Sequence, residues 1–324
     1  MSLTRTPRSE LPRRVVRLLL DRGLLGTADV HRYGVTARDV SESNGVVLVE
    51  VGNGNGFAAK DLRVPREGGQ GEPERELALL HAAAELPDAS DLLAPMVLHE
   101  PDEALLVLDG LVAARRLDRV PDPLASGPAR LLGRTLGRWH RAAADLTLEP
   151  ARPWIHDVDG AAAPPVLRTD PTLSALVREF RAGPEAAVLD RARELWAPDT
   201  TIHGDVRFAN VLVRPSPPSA HLVDWESAGR GDSTWDVAGA VQEYVTAGRP
   251  FPPADPGDPV RALLDAYTDA RGAGPDPERL AASLGARLLH RALQLSTWLA
   301  DPRAEVARHR ELAVAVSGGA VEVR

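Results

Sequence analysis

The chain has 324 residues, no cysteine, 38 basic against 46 acidic side chains and a formal net charge of −8. Without thiols there is no disulfide framework, no thiolate nucleophile and no Cys-ligated zinc or iron–sulfur cluster. At 44% hydrophobic residues the chain can bury a sizeable core, its acidic balance argues against a nucleic-acid partner, and no apolar run reaches the ~18 residues that cross a bilayer.

Residues 10–24 place Leu11, Val15, Leu18 and Leu19 at helical spacing between arginines, which predicts an amphipathic helix. Arg17 interrupts its apolar run and Asp21 ends it, too early and too charged for a signal peptide. The sequence reads as a cytoplasmic protein with no membrane partner. Val35 to Val40, Gly45 to Val51 and Phe57 to Leu62 are β-branched-rich, and Gly52-Asn53-Gly54-Asn55-Gly56 is a hairpin signal. A three-stranded antiparallel meander is expected. Residues 72–86 predict a helix with Leu77, Leu80 and Ala84 on one face and Pro73 in its first turn. Strands are expected at Met96–His99 and Ala104–Leu108.

After Leu111 the composition becomes helical and rich in Ala and Arg. Helices are expected over 127–145, over 172–196 with a break near Gly183-Pro184, and over 234–246, 258–270, 277–299 and 303–315. Val211–Val213 and His221–Val223 suggest a small hairpin. The Pro- and Asp-rich stretches 148–171 and 247–257 read as surface loops. No internal repeat is found. The chain divides near residue 110 into a β-rich lobe (1–110) and a helical lobe (111–324), an α+β organisation; clefts between two such lobes are preferred ligand sites.

The sharpest local signal is His203-Gly204-Asp205-Val206-Arg207-Phe208-Ala209-Asn210, followed fourteen residues later by Asp224-Trp225-Glu226 at the end of an apolar strand. Phosphoryl transfer consists largely of positioning and charge neutralisation. It needs a carboxylate beside the attacking hydroxyl and hard oxygen ligands for Mg²⁺. Asp205, Asn210 and Asp224 supply that set; the bland alternative is a polar turn whose Asp and Asn cap backbone groups.

The first lobe adds to this. Of the 38 basic residues, 37 are Arg and one is Lys, Lys60. An ammonium is a compact point charge where a guanidinium is a planar fork, so the lone lysine marks a position that Arg does not serve. Lys60 falls on the third predicted strand and Glu76 on the following helix. A strand lysine held by a helix glutamate is how kinases fix a cation on nucleotide phosphates. The first hairpin, with Ser41, Asn44 and Gly45, is placed to lie over those phosphates. No H-x-x-x-H, H-E-x-x-H or G-x-x-x-x-G-K-[ST] spacing occurs, which argues against a zinc hydrolase or a P-loop enzyme. Trp139, His140, Trp225 and Trp235 read as packing residues.

These motifs, in this order over residues 35–300, resemble the aminoglycoside phosphotransferase and choline kinase-like superfamily. That group has HGD where protein kinases have HRD, and D-x-E in place of DFG. Gly231-Asp232-Ser233-Thr234-Trp235-Asp236-Val237-Ala238 is similar to its GD-P-x-x-D-L-A segment, with Ser233 in place of Pro. The resemblance implies a protein-kinase-like bilobal fold, a small antiparallel sheet followed by a large helical lobe, that uses ATP and Mg²⁺. It implies Asp205 as catalytic base and Arg207 near the transferred phosphate. It implies Asn210 and Asp224 as metal ligands, and Lys60, paired with Glu76, on the α/β-phosphates. The backbone of Leu108–Leu111 would meet adenine, and Asp236 would brace the catalytic loop.

For the acceptor, a polycationic amino sugar would want carboxylates, and Asp265, Asp269, Asp276, Glu278 and Glu226 are candidates, yet arginines interleave them. A narrower resemblance joins the N-terminal helix, Val35-x-x-x-Asp39-Val40-Ser41-x-x-Asn44, the catalytic loop and Leu222–Asp232. This run is similar to kinases of class V lanthipeptide and thioamitide-type pathways, with Val206-Arg207-Phe208-Ala209-Asn210 where those have V-K-W-D-N. It implies a Ser or Thr of a ribosomal precursor peptide as the acceptor and a separate lyase as a partner. The alternatives are a small-molecule kinase such as an aminoglycoside phosphotransferase and, in another class, a pseudokinase or nucleotide-dependent binding module. A degenerate base, metal ligand or strand lysine would signal the last; all three are intact.

Overall fold

The computed structural model describes residues 10–41, 45–63, 73–87, 89, 91–161 and 163–318. The chain forms two compact units, residues 1–67 with 93–115 and residues 68–92 with 116–324.

In the first unit, α1 (Leu11–Asp21) and α2 (Thr27–Tyr33) precede a five-stranded antiparallel sheet. Its strands are β1 (Val35–Asp39), β2 (Gly45–Val51), β3 (Gly56–Asp61), β4 (Met96–Glu100) and β5 (Leu105–Asp109), in the order β1-β2-β3-β5-β4. The expected meander is present. The later strand pair starts one residue after its expected place at β5, because Ala104 forms the turn at φ 48°. Leu11, Val15, Leu18 and Leu19 of α1 pack on Val47, Val49, Ala59, Leu105 and Val107, the alternate residues of three strands. Period 2 then puts Asp61 on the same sheet face as Ala59, and Arg14 of α1 pairs with Asp61 at 3.2 Å. Lys60 points to the opposite face, with Val46 and Leu106 as cross-strand neighbours. Helix α2 was not anticipated; none of its residues is buried, so it carries no apolar stripe.

The two-residue strand β6 (Arg115–Arg116) lies where the chain passes from the first unit to the second. The expected division near residue 110 is thus a few residues early. Helix α3 (Pro73–Ala84), assigned from sequence to the first lobe, groups with the second unit. Its buried face is Glu76, Leu79, Leu80 and Ala83 instead of Leu77, Leu80 and Ala84.

The rest of the second unit is mainly helical: α4 (Ser126–Ala142), α5 (Val166–Thr169), α6 (Pro171–Ala182), α7 (Glu185–Leu195), α8 (Ser233–Thr246), α9 (Pro259–Arg271), α10 (Pro277–Trp298) and α11 (Arg303–Ser317). Between α7 and α8 run β7 (Thr200–Ile202), β8 (Val211–Pro215), β9 (Pro218–Leu222) and β10 (Gly229–Gly231). Strands β8 and β9 make the expected hairpin, and β10 pairs with β7. Helix α4 lies against α9 because Gly133 and Gly137 leave room for the carbonyls of Leu263 and Tyr267, which an added Cβ would meet at 2.1 and 2.5 Å.

The stretch 148–171 is not simply a surface loop. It holds a short 3₁₀ turn at Trp154–Asp157, helix α5 and the buried residues Ile155, His156, Val158, Ala163 and Leu167. His156 lies edge-on to Trp196 and Trp235, and burial drives its pKa down to about 3. No helix among the described residues is long and apolar enough to cross a membrane.

Candidate active site

The loop between β7 and β8 carries the His-Gly-Asp motif, and several buried contacts fix its shape. Asp236, in the first turn of α8, is fully buried. Its Oδ2 accepts from the amide of His203 at 2.6 Å and its Oδ1 from that of Gly204 at 2.9 Å. The bracing expected of Asp236 is therefore present as two backbone hydrogen bonds. His140 of α4 donates from Nε2 to the same carboxylate at 3.1 Å. Its Nδ1 accepts from the Tyr267 hydroxyl at 3.0 Å, and Tyr267 in turn accepts from Arg271, which also pairs with Asp199 at 2.8 Å. Hydrogen bonds from these groups outweigh the desolvation that would favour the acid, so Asp236 titrates below the ordinary carboxylate value. His140, read from sequence as packing alone, orients the brace. Its two polar partners lie 96 and 127 residues away, so no local pattern pointed to them.

Gly204 turns the loop at φ 84°, and a Cβ there would meet the Ser227 carbonyl oxygen at 2.4 Å. Gly204→Ala is expected to cost ~1–3 kcal/mol of stability through strain at this turn. A denaturant titration checks it; an unchanged midpoint would show that the turn relaxes freely. Trp235 donates from Nε1 to the Gly204 carbonyl at 2.9 Å. His203 is fixed as one tautomer. Its Nδ1 accepts from the Asp205 amide at 3.2 Å while Nε2–H donates to the Val223 carbonyl at 2.9 Å, with the ring packed on Trp225.

The side chain of Asp205 is a third exposed, within reach of a ligand. Asn210 spends its amide N–H donors on Asp205 O at 3.0 Å and Oδ2 at 3.1 Å, leaving Oδ1 as its remaining acceptor. Arg207 Nε lies 3.2 Å from Asp205 Oδ2. The Val223 amide donates to the Asn210 carbonyl at 3.0 Å, continuing the hairpin pairing by one residue, and Asp224 follows directly. Asp224 has φ 68°, a left-handed backbone that a non-glycine residue adopts at a cost. The next amide, Trp225, donates to Glu76 Oε1 at 3.3 Å, and Glu76 is buried. Glu76 is therefore turned inward and is not part of the solvated face of α3. Asp205, Arg207, Asn210, Asp224 and Glu76 thus belong to one neighbourhood of the second unit.

The remaining expected site residues belong to the first unit. Lys60 is buried on β3. Ser41 Oγ accepts from the Val46 amide at 2.8 Å and stitches the β1–β2 turn, while Gly45 opens β2. Asn44 lies outside the described residues. Leu108 sits in β5. Leu111, at φ 43°, donates its amide to Asp109 Oδ1 at 2.8 Å and is buried.

Arg287, read in the sequence only as one of the arginines between the acids, also touches the loop, as does Glu243. Arg287 of α10 is buried and donates to the Val206 carbonyl at 3.0 Å and to Gln242 Oε1 at 3.2 Å. Glu243 of α8 is half-buried, and burial raises its pKa. Conversely, two of the carboxylates proposed for a cationic acceptor are committed elsewhere. Asp276 caps α10 through the Arg279 amide, and Glu278 pairs with Arg191. They precede Arg287 by about 14–16 Å along the helix axis.

The loop thus pinned to a buried aspartate presents an accessible aspartate held by an asparagine and an arginine, and a second aspartate follows the hairpin. The sequence matches the phosphotransferase enzyme family known as APH over residues 35–283, more than half of the chain, and the chain belongs to that family. No curated protein sequence matches it. Solved structures share the fold. A choline/ethanolamine kinase family protein from Mesorhizobium loti is 15% identical, with a TM-score of 0.61, covering 96% of this chain and 95% of its own. A choline kinase from Streptococcus pneumoniae is 14% identical, with a TM-score of 0.59, covering 95% and 99%. A macrolide 2'-phosphotransferase from Brachybacterium faecium is 18% identical, with a TM-score of 0.56, covering 95% and 99%.

Proposed function

We propose that this phosphotransferase moves the γ-phosphate of ATP to a hydroxyl, and that the hydroxyl belongs to a Ser or Thr of a ribosomal precursor peptide. The observation that carries the transfer reading is the accessible Asp205 carboxylate, held by Asn210 and Arg207 on a loop pinned at two amides by Asp236. Asp205 accepts the acceptor's proton, and Arg207 offsets charge that develops on the transferred phosphoryl group. Nucleotide use is supported by a similar structure, a choline kinase, solved in complex with AMP.

Asn210 Oδ1 and Asp224 are the residues that would hold Mg²⁺; both are hard oxygen donors, as that ion requires. No group of three or more His, Cys, Asp or Glu side chains among the described residues holds a metal unaided. That fits an ion that takes phosphate oxygens as further ligands and neutralises their charge. Lys60 is proposed to hold nucleotide phosphate with Glu76 as its counter-charge, and Ser41, Asn44, Gly45 and the Leu108–Leu111 backbone to contact the nucleotide. Lys60→Arg is expected to lower kcat or ATP affinity at least about tenfold, because the broader fork does not sit where one ammonium does. Steady-state kinetics over an ATP series checks it; an unimpaired variant would make the lone lysine incidental.

The mixed charge of the helical unit favours a peptide over a polycation, and so does the commitment of Asp276 and Glu278 to capping and pairing. Remote contacts would position the hydroxyl, so truncating a peptide's leader should cost turnover even with the Ser or Thr retained. Mass spectrometry of a panel of Ser/Thr peptides and aminoglycosides, each with Mg·ATP, tests the acceptor. Phosphate on peptides and not on amino sugars is expected. The reverse would establish a small-molecule kinase, the second reading, and a partner lyase would lose its rationale.

A further inference from the structure

Within the second unit, three guanidinium groups gather on one side of the His-Gly-Asp loop. Arg207 pairs with Asp205 at 3.2 Å. Arg287 is buried against Val206 and lies over the Trp235 ring at 4.9 Å, in the space left by Gly239, where a Cβ would meet its Cζ at 2.7 Å. Arg291 follows on the same face of α10, one turn or about 6 Å along the axis. It is half-buried, its guanidinium stacked on the Trp298 ring at 4.9 Å and its Nη1 donating to Gln294 Oε1 at 3.3 Å. Among the described residues no carboxylate lies within ion-pair distance of it. One turn before it, Arg287 donates to the carbonyl of Val206, the residue after Asp205, which sets Arg291 on the side of α10 that faces this loop.

The neighbours do not cancel this charge. Burial raises the pKa of Glu243 against the opposing pull of Arg291 and Arg287. His290, adjacent to Arg291 and edge-on to Trp154 at 4.8 Å, is held neutral, with its pKa near 3. Three cations therefore face two carboxylates, Asp205 and Glu243. A guanidinium held in a fixed pose, partly withdrawn from water and with no carboxylate at ion-pair distance, is suited to bind a carboxylate bidentately.

We infer that the hydroxyl acceptor also carries a carboxylate, which Arg291 binds while the hydroxyl is presented to Asp205. This rests on the phosphotransferase reading of Asp205 and narrows its substrate class. The carboxylate belongs either to an acidic residue near the Ser or Thr of a peptide or to a free hydroxy acid. A polycationic amino sugar meets repulsion at the same place.

The test is equilibrium binding to the full chain of three Ser-containing peptides that differ only in an Asp, Ala or Lys beside the Ser. Glycerate serves as the free hydroxy acid and kanamycin as the polycation, each measured on the wild type and on Arg291→Gln. The Asp peptide or glycerate is expected to bind at least about tenfold tighter than the Lys peptide and kanamycin, with the preference lost in Arg291→Gln and Lys-peptide affinity unchanged. Which of the two carboxylates binds names the source. Equal or tighter binding of the cationic probes, a preference that survives Arg291→Gln, or no binding of either carboxylate overturns the inference. Transfer, read in parallel, separates the two claims. Phosphorylation without carboxylate preference removes this inference and leaves the phosphotransferase reading. Carboxylate binding at Arg291 with no transfer to any hydroxyl removes that reading alone.

Discussion

Asp205→Asn is expected to lower the transfer rate by about 10²–10⁴-fold with the fold intact, the loss typical of removing a positioned general base. The carboxamide still has an oxygen for the Asn210 donor that reaches Asp205 Oδ2, and the bond to the Asp205 carbonyl is untouched, so the loop keeps its geometry, but it does not accept the hydroxyl proton. Asp224→Ala should abolish transfer by another route, weakening Mg·ATP binding as well as turnover. Steady-state kinetics at saturating Mg²⁺, with nucleotide binding measured separately, distinguishes the two. Near-wild-type kcat in Asp205→Asn would remove Asp205 from the mechanism.

The second large effect is on stability. Asp236→Ala strips the acceptor from the amides of His203 and Gly204 and from His140 Nε2, three groups at a fully buried site. Each buried donor left unpaired costs about 1–3 kcal/mol, so a loss of at least ~3 kcal/mol is expected, together with lost transfer as the loop relaxes. The effect carries a pH signature. Asp236 titrates below the ordinary value of 3.8, so the stability it adds is fully present above that value and is lost as pH falls through the depressed pKa. Urea titrations of wild type and variant from neutral to acid pH check this. Their stability difference should narrow in acid; a difference independent of pH would mean that the charge of Asp236 is not what stabilises the loop.

The sequence showed most clearly what is local. Asp205 and Asn210 lie within one short loop and were read together from their spacing, and the structure brings them into contact, with Arg207, named through the family resemblance, beside Asp205. The meander was legible because α1 and alternate strand residues carry the apolar pattern that its core requires. What escaped depends on distant partners. The relay from Arg271 through Tyr267 and His140 to Asp236 joins three helices, and nothing near His140 distinguishes it from a core histidine. Glu76 points inward, which displaced the predicted face of α3; a buried carboxylate breaks the apolar period that marks a helix face. The stretch 148–171 reads as surface by composition, yet Ile155 and Val158 are buried and His156 is enclosed against Trp196 and Trp235, contacts set by tertiary structure. Arg287 and Arg291 looked like members of a mixed-charge helix, and only the approach of α10 to the Val206 carbonyl brings Arg287 to the catalytic loop.

The role proposed for Asp205 is to drive phosphate transfer from ATP to an acceptor hydroxyl. Its most direct test is a single-turnover reaction with γ-phosphate-labelled ATP and Mg²⁺, wild type against Asp205→Asn, with the acceptor panel pooled and label followed by mass. Label is expected on an acceptor hydroxyl with wild type, with at least about 10²-fold slower labelling by Asp205→Asn despite undiminished ATP binding. Labelling at equal rates by the two proteins, or nucleotide bound by wild type with no label on any hydroxyl, would contradict it.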